Sequence, residues 1–190
     1  IDTVWVTNGY ISEAPLREIA PFLTAANVDL KGWDDEFYRT VVGGTLQPVL
    51  DTLKLMKSLG IWLEVTTLIV PGYVDDETRL REIARFICRE LGAETPWHIS
   101  RFYPQYRFTE AVPTPLAALQ RARQIGLEEG VRYVYTGNVP GDTGENSYCH
   151  RCGALLVGRY GFQIVTNNLQ AGCCPVCRTP MDGIFTKEEM

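Results

Sequence analysis

The sequence predicts an α/β protein with parallel strands, followed by a small metal-binding module. Strand-like and helical patterns alternate over the first 137 residues, which is typical of parallel strands joined by right-handed crossovers. Two Cys-x-x-Cys pairs, separated by twenty-one residues, then lie in the last part of the chain. We therefore expect a main unit over 1–137, a Gly-rich linker over 138–144 and a second unit over 145–190.

The five predicted strands are runs rich in β-branched residues that end at turn signals. They cover 4–7, 25–30, 61–70, 97–103 and 131–136. Asn8-Gly9 ends the first strand and Pro71-Gly72 ends the third, because these residue pairs favour turns. The carboxyl ends of parallel strands share one edge, and ligands bind there in barrels and open sheets.

The predicted helices fill the intervals between these strands. Ser12, Thr45 and Thr114 each stand before an amphipathic pattern as candidate N-caps. A short helix is expected at 34–38, and the acidic run at 75–77 opens another helix with charge that suits its dipole. No Gly-rich phosphate loop follows any strand, so neither a dinucleotide fingerprint nor a P-loop is expected.

Composition narrows the class of protein. The 190 residues are 45% hydrophobic and 22% charged, which is typical of a globular protein. The net charge of −5 gives no sign of the basic surface that nucleic-acid binding needs. No run reaches the roughly 20 apolar residues that span a bilayer, and no signal peptide opens the chain. We expect a cytoplasmic protein that binds neither nucleic acid nor membrane. Because the chain begins inside a strand without Met, we expect it to be part of a longer protein.

Two charged residues end the second predicted strand. Side chains alternate along a strand, so Asp29 and Lys31 point to the same side. They either form an ion pair with each other or hold a zwitterionic or hydroxyl-bearing ligand. A carboxylate in a buried strand needs a partner, so Glu64 is expected to pair with Lys31 or Arg101, or to bind a ligand.

The cysteines of the second unit have the spacing of a zinc ribbon. Each Cys-x-x-Cys turn lets two thiolates hold one metal, and two such turns complete a tetrahedron. The predicted ligands are Cys149, Cys152, Cys174 and Cys177, with a β-hairpin over 154–165 between the two pairs. Zinc in a structural role is expected, although four thiolates also suit a single iron. Cys173 does not fit the turn, and His150 is expected to face solvent.

Three short motifs, in this order and at these separations, resemble the pyruvate formate-lyase activating enzymes, which are radical S-adenosylmethionine (SAM) proteins. The motifs are Val6-Thr7-Asn8-Gly9-Tyr10, Val28-Asp29-Leu30-Lys31-Gly32 and Leu68-Ile69-Val70-Pro71-Gly72. Within that family the chain is most similar to the AmmeMemoRadiSam group. That similarity extends through Trp97-His98-Ile99-Ser100-Arg101-Phe102, Arg132-Tyr133-Val134-Tyr135 and Gly137-Asn138-Val139-Pro140-Gly141 to the first cysteine pair.

The resemblance implies the last strands of a partial (β/α)6 radical SAM barrel with SAM at their carboxyl ends. Asp29 and Lys31 would contact the methionine or ribose part of SAM, and the turn at Asn8 would lie beside it. Thr66 and Tyr103 stand where the activating enzymes carry an Arg and a His. The implied cofactor-binding set is Asn8, Asp29, Leu30, Lys31, Thr66 and Tyr103.

Radical SAM chemistry also needs a Cys-x3-Cys-x2-Cys loop that holds a 4Fe-4S cluster, and this sequence has no such spacing. We expect that loop upstream of Ile1, so this chain alone is expected to be inactive. Memo-like and AMMECR-like partners are implied by the resemblance, and the substrate is unknown. An open edge at the first strand would favour a dimer.

Two other functions stay open on the sequence alone. The chain could be a non-catalytic module whose zinc ribbon docks a partner. It could also be an unrelated barrel hydrolase that uses Glu64, His98 and Asp29.

Overall fold

The main unit is a five-stranded parallel sheet whose spatial order follows the sequence order. This computed structural model describes residues 1–106, 108 and 111–185, so the end of the predicted second unit at 186–190 lies outside the described residues. The strands are β1 Val4–Thr7, β2 Ala25–Asp29, β3 Trp62–Ile69, β4 Trp97–Arg101 and β5 Val134–Gly137. The prediction of an α/β fold with parallel strands is confirmed. The fifth strand begins three residues later than the sequence predicts, at Val134.

Helices cover one face of this sheet. They are α1 Glu13–Ile19, α2 Asp35–Phe37, α3 Leu46–Ser58, α4 Glu77–Phe86 and α5 Leu116–Glu128. Wider, π-helical turns extend α2 over Tyr38–Val42 and α4 over Ile87–Leu91, and a short 3-10 turn at Ala20–Phe22 follows α1.

The helix starts differ in how they are capped. The side chains of Asp34 and Asp76 accept hydrogen bonds from backbone N–H groups of the first turns of α2 and α4. Ser12 and Thr45 precede α1 and α3 as predicted, but their side chains make no capping bond.

The core lies between the helices and the outer face of the sheet. Leu16, Leu53, Ile83 and Ile125 are fully buried there, against strand residues such as Val65. Alternate strand residues point to the opposite, concave face, because side chains alternate across a strand. That second face carries polar side chains, which are Asn27, Glu64, Thr66, His98 and Ser100.

A smaller antiparallel sheet follows in the order β6 Ser147–Tyr148, β7 Leu155–Tyr160 and β8 Gln163–Asn167. The segment that joins the two sheets is tied down by hydrogen bonds. Asp142 accepts from the Thr136 hydroxyl over 2.7 Å, and the Glu145 carboxylate accepts from the N–H groups of Gly141 and Gly161. The ribbon is therefore held against the β5 end of the main sheet.

The other end of the main sheet is open. In β1, the edge strand, the side chains of Val4 and Val6 are 62% and 77% exposed. Among the described residues, no helix is long and apolar enough to cross a membrane.

Candidate functional site

The strand register places several candidate residues in one row across the concave face. Asp29 pairs with Thr66, Thr66 with His98, and His98 with Tyr135, on four neighbouring strands. Adjacent strands lie about 4.8 Å apart, so this row is about 15 Å long. The row begins at the carboxyl end of β2 with Asp29, where the sequence predicts a ligand, and reaches β4 and β5 near their amino ends, at His98 and Tyr135.

Asp29 and Lys31 lie on the same side of the chain, as predicted, and their charged groups are 2.8 Å apart. Both side chains remain about two-fifths exposed, at 39% and 40%. The backbone N–H of Lys31 donates to the hydroxyl of Tyr38 over 3.0 Å. Burial raises the pKa of Tyr38 to about 12, which keeps that hydroxyl neutral. The pair is thus fixed to the core on one side and open to a ligand on the other.

The turn after β1 approaches β2 closely. Asn8 accepts a hydrogen bond from the N–H of Tyr10 over 3.0 Å, and Gly9 has a φ of +71°. A Cβ atom on Gly9 would lie 2.8 Å from a methyl carbon of Val28, so only glycine fits without a shift. This close approach places Asn8 beside the end of β2.

Thr66 and Leu30 connect β2 to β3. The Thr66 hydroxyl donates to the side-chain oxygen of Asn27 over 2.7 Å, and its carbonyl accepts from the N–H of Leu30 over 2.9 Å. The side chain of Leu30 is fully buried, so it can face a ligand only through its backbone. Thr66 lines the concave face directly.

Tyr103 belongs to a separate group at the end of β4. The Arg101 guanidinium lies 4.9 Å from the centre of the Tyr103 ring and donates to its hydroxyl over 2.9 Å. That hydroxyl donates in turn to the carbonyl of Asn138 over 3.3 Å. Tyr103 is 44% exposed and is thus available at the β4–β5 side of the edge.

The expected partners of Glu64 are wrong. Its carboxylate lies 2.6 Å from Nε2 of His98, whereas Lys31 pairs with Asp29, and Arg101 donates to the Thr114 carbonyl. The reason is the register, which pairs His98 with Thr66, two residues beyond Glu64 and on the same face of the sheet. Burial alone would raise the pKa of Glu64, but the bond to His98 outweighs it and the pKa lies below its ordinary value.

Glu64 and His98 open onto a trough of about 1160 Å³ along the concave face. Asn27, Thr66 and Ser100 line it as well, and Asp29 pairs in register with Thr66 on the neighbouring strand. The side chains of Glu64 and His98 are 35% and 30% exposed, so both reach the open space.

The ribbon contributes to this trough, which sequence reasoning missed. Arg159 of β7 lies over the ring of Tyr135 at 5.7 Å and donates to the hydroxyl of Ser147 over 2.8 Å. The Tyr135 ring stacks on His98 at 5.2 Å. The alternation of polar residues in β3 and β4 marks Glu64 and His98 as facing the same side, but it does not give the partner of Glu64, which depends on the register between the two strands. Arg159 carries no such signal, because its place depends on how the ribbon docks.

The four predicted cysteines form a metal-binding site. The sulfur atoms of Cys149, Cys152, Cys174 and Cys177 all lie within 4.8 Å of one another. This geometry fits one tetrahedral ion with thiolate ligands. Within the described residues, Cys173 and His150 lie outside this group, as expected, and His150 is exposed.

Local groups favour the thiolate form of Cys177. The hydroxyl of Thr179 lies 3.2 Å from the sulfur of Cys177. Its side chain and its backbone N–H lower the pKa of Cys177 to about 6.

Residues 1–87 match the family model of the Radical SAM superfamily. This first part of the chain, a little under half of its length, is similar to a radical SAM domain. The chain is 29% identical over 103 residues to the isethionate sulfite-lyase activating enzyme of Oleidesulfovibrio alaskensis, covering 52% of this chain and 33% of that enzyme. It is 49% identical over 181 residues to "Uncharacterized protein MJ0808" of Methanocaldococcus jannaschii, covering 94% of this chain and 54% of that protein. The chain thus spans about half the length of one relative and a third of the other.

Two solved structures share the fold of the main unit. A domain of pyruvate-formate lyase-activating enzyme from Bacteroides vulgatus matches with a TM-score of 0.63 and 14% identity, over 73% of this chain and 82% of that domain. Streptococcus suis SuiB bound to S-adenosylmethionine matches with a TM-score of 0.58 and 14% identity, over 73% of this chain and 33% of SuiB. At this identity the likeness shows the fold alone.

Proposed function

We propose that this chain is part of a radical SAM enzyme of the activating-enzyme type. The observation that carries this proposal is the Asp29–Lys31 pair, which lies about two-fifths exposed at the carboxyl end of β2, within the residues that match the Radical SAM family model. A carboxylate and an ammonium group beside each other complement the hydroxyl, amine and carboxylate groups of SAM. The match of the activating-enzyme domain supports the same class.

Different residues of this chain would contact different groups of SAM. Asp29 accepts hydrogen bonds from a hydroxyl or ammonium group, and Lys31 binds a carboxylate. Asn8 and the hydroxyls of Thr66 and Tyr103 border the same edge. A 4Fe-4S cluster with SAM would supply the radical chemistry that abstracts hydrogen from a substrate, and the residues named here would hold the SAM part. Because the cluster cysteines are not in this chain, it is inactive alone in this proposal.

The ribbon has a structural role in this proposal, with zinc as its metal. All four ligand positions are filled by protein thiolates, so none is left open for catalysis. We place the protein in the cytoplasm, with Memo-like and AMMECR-like proteins as partners and with β1 as the edge through which a dimer would form.

A non-catalytic docking module is the alternative that one observation favours. The hairpin of the ribbon exposes apolar side chains, among them Phe162, Ile164 at 63% and Val165 at 61%. Such side chains on an edge strand suit a protein partner.

Iron and sulfide analysis tests the proposal. The longer protein, purified without oxygen, is expected to hold about four irons with matching sulfide in addition to one zinc. A single zinc with no sulfide in that protein would contradict the radical SAM function and favour the docking module.

A further inference from the structure

The concave trough carries two opposite charges that are not paired with each other. Glu64 lies on β3 of the main sheet, and Arg159 reaches in from the ribbon. No ion pair of Arg159 exists within the described part of the chain, and its guanidinium donates to the hydroxyl of Ser147 and the carbonyl of Glu145. Both of these oxygens are neutral. A guanidinium has five N–H donors, so Arg159 keeps donors for a carboxylate.

Glu64 likewise keeps capacity for a further partner. His98 bonds to one carboxylate oxygen over 2.6 Å, and the indole N–H of Trp62 lies 3.5 Å from the other. An ionised carboxylate offers about four acceptor positions. Because the pKa of Glu64 lies below its ordinary value, the group is charged at neutral pH.

Aromatic side chains line the same trough as these charges. Trp62, Tyr135, Phe162 and Phe185 all line the trough. The space of about 1160 Å³ exceeds what one amino acid needs. The site thus offers a positive group, a negative group and an apolar wall in one concavity.

We propose that this trough binds a free amino acid with an apolar side chain, whose carboxylate contacts Arg159 and whose ammonium group contacts Glu64. His98 positions the Glu64 carboxylate, and the aromatic residues pack against the apolar side chain. His98 lies two strands from Asp29 in the same row, or about 10 Å away. The amino acid would therefore lie beside SAM as the substrate of the proposed radical reaction. That role rests on the proposed function, while binding of the amino acid does not.

Calorimetric titration of the longer, metal-loaded protein tests the site with three probes. These are phenylalanine, N-acetylphenylalanine, which lacks the ammonium group, and phenylalaninamide, which lacks the carboxylate. The affinity for phenylalanine is expected to be at least about tenfold higher than the affinity for either derivative, because each derivative loses one charge-assisted contact.

Variants assign each charge to its residue. Arg159→Gln is expected to weaken the binding of phenylalanine about tenfold and to leave the affinity for phenylalaninamide unchanged. Glu64→Gln is expected to weaken the binding of phenylalanine and to leave the affinity for N-acetylphenylalanine unchanged. Arg159→Lys, which keeps the charge, should retain part of the affinity. Arg123→Gln is the matched control, because Arg123 donates to the carbonyl of Val134 and does not line the trough. Thermal unfolding checks that each variant folds.

Equal affinity for all three probes, or no binding of phenylalanine, would overturn the site. SAM binding is titrated in the same samples, so the two proposals fail separately. Phenylalanine binding without SAM binding supports the amino-acid site and contradicts the proposed function. SAM binding without phenylalanine binding supports the proposed function and contradicts the amino-acid site.

Discussion

Nε2 of His98 lies 2.6 Å from a carboxylate oxygen of Glu64, and this contact joins β3 to β4 on the concave face. It satisfies a carboxylate that would otherwise be costly to place in a partly buried strand. It also makes the stability of the sheet depend on the ionisation of Glu64.

Acid should remove the contribution of Glu64 to stability. A carboxyl group whose pKa is lowered by folding stabilises the fold above its unfolded pKa, and that stabilisation is lost as pH falls through the folded value. We expect Glu64→Gln to lower the free energy of unfolding at neutral pH, and the difference from wild type to shrink as pH falls below 4.5. Urea unfolding at several pH values measures this difference. The exposed Glu18 on α1 supplies the control variant Glu18→Gln. A difference for Glu64→Gln that is independent of pH would argue against the pairing.

Removing either charge of the Asp29–Lys31 pair should weaken SAM binding. We expect Asp29→Asn and Lys31→Met each to raise the dissociation constant for SAM about tenfold or more, because each loses a charge-assisted contact. Titration of SAM into the longer protein measures the effect. Asp51→Asn on the exposed side of α3 is the control, because Asp51 bonds only to Gln47 among the described residues. Unchanged SAM affinity in both site variants would rule out this edge as the SAM site.

The adjacent cysteines Cys173 and Cys174 should differ in metal binding. Cys174 is fully buried within the four-sulfur group, whereas Cys173 lies outside it. We expect Cys174→Ser to lose the bound zinc and to destabilise the ribbon by several kcal/mol, since metal binding and folding are coupled. Cys173→Ser should keep one zinc per chain. Mass spectrometry under native conditions distinguishes the two, and zinc loss in both variants, or in neither, would contradict the assignment.

Gly9 should tolerate alanine worse than Gly43 does. Both have positive φ, +71° and +84°, so both variants carry backbone strain of about 1 kcal/mol. At Gly9 the new Cβ also meets Val28 at 2.8 Å, whereas at Gly43 it meets nothing within 4 Å. We expect Gly9→Ala to lower the free energy of unfolding by about 2–4 kcal/mol and Gly43→Ala by about 1. Urea denaturation compares them, and equal losses would mean that the turn does not pack on β2 as described.

Local sequence patterns were enough to predict the fold and the metal site. The alternation of strand and helix patterns and the spacing of the cysteines can both be recognised in the sequence itself. That Asp29 and Lys31 lie on the same side follows from the alternation of side chains along a strand. The partner of Glu64 could not be derived in this way, because it depends on the register between β3 and β4. The place of Arg159 depends on the docking of the ribbon through Tyr135 and Ser147, which no local pattern encodes.

The most direct test of the central proposal is reductive cleavage of SAM. The longer protein is loaded with its 4Fe-4S cluster in the absence of oxygen and is mixed with SAM and a reductant. The reaction products are then separated by chromatography. We predict that 5′-deoxyadenosine and methionine form in equal amounts, and that Asp29→Asn slows their formation. A protein that holds the full cluster and binds SAM, yet forms no 5′-deoxyadenosine, would contradict the assignment as a radical SAM enzyme.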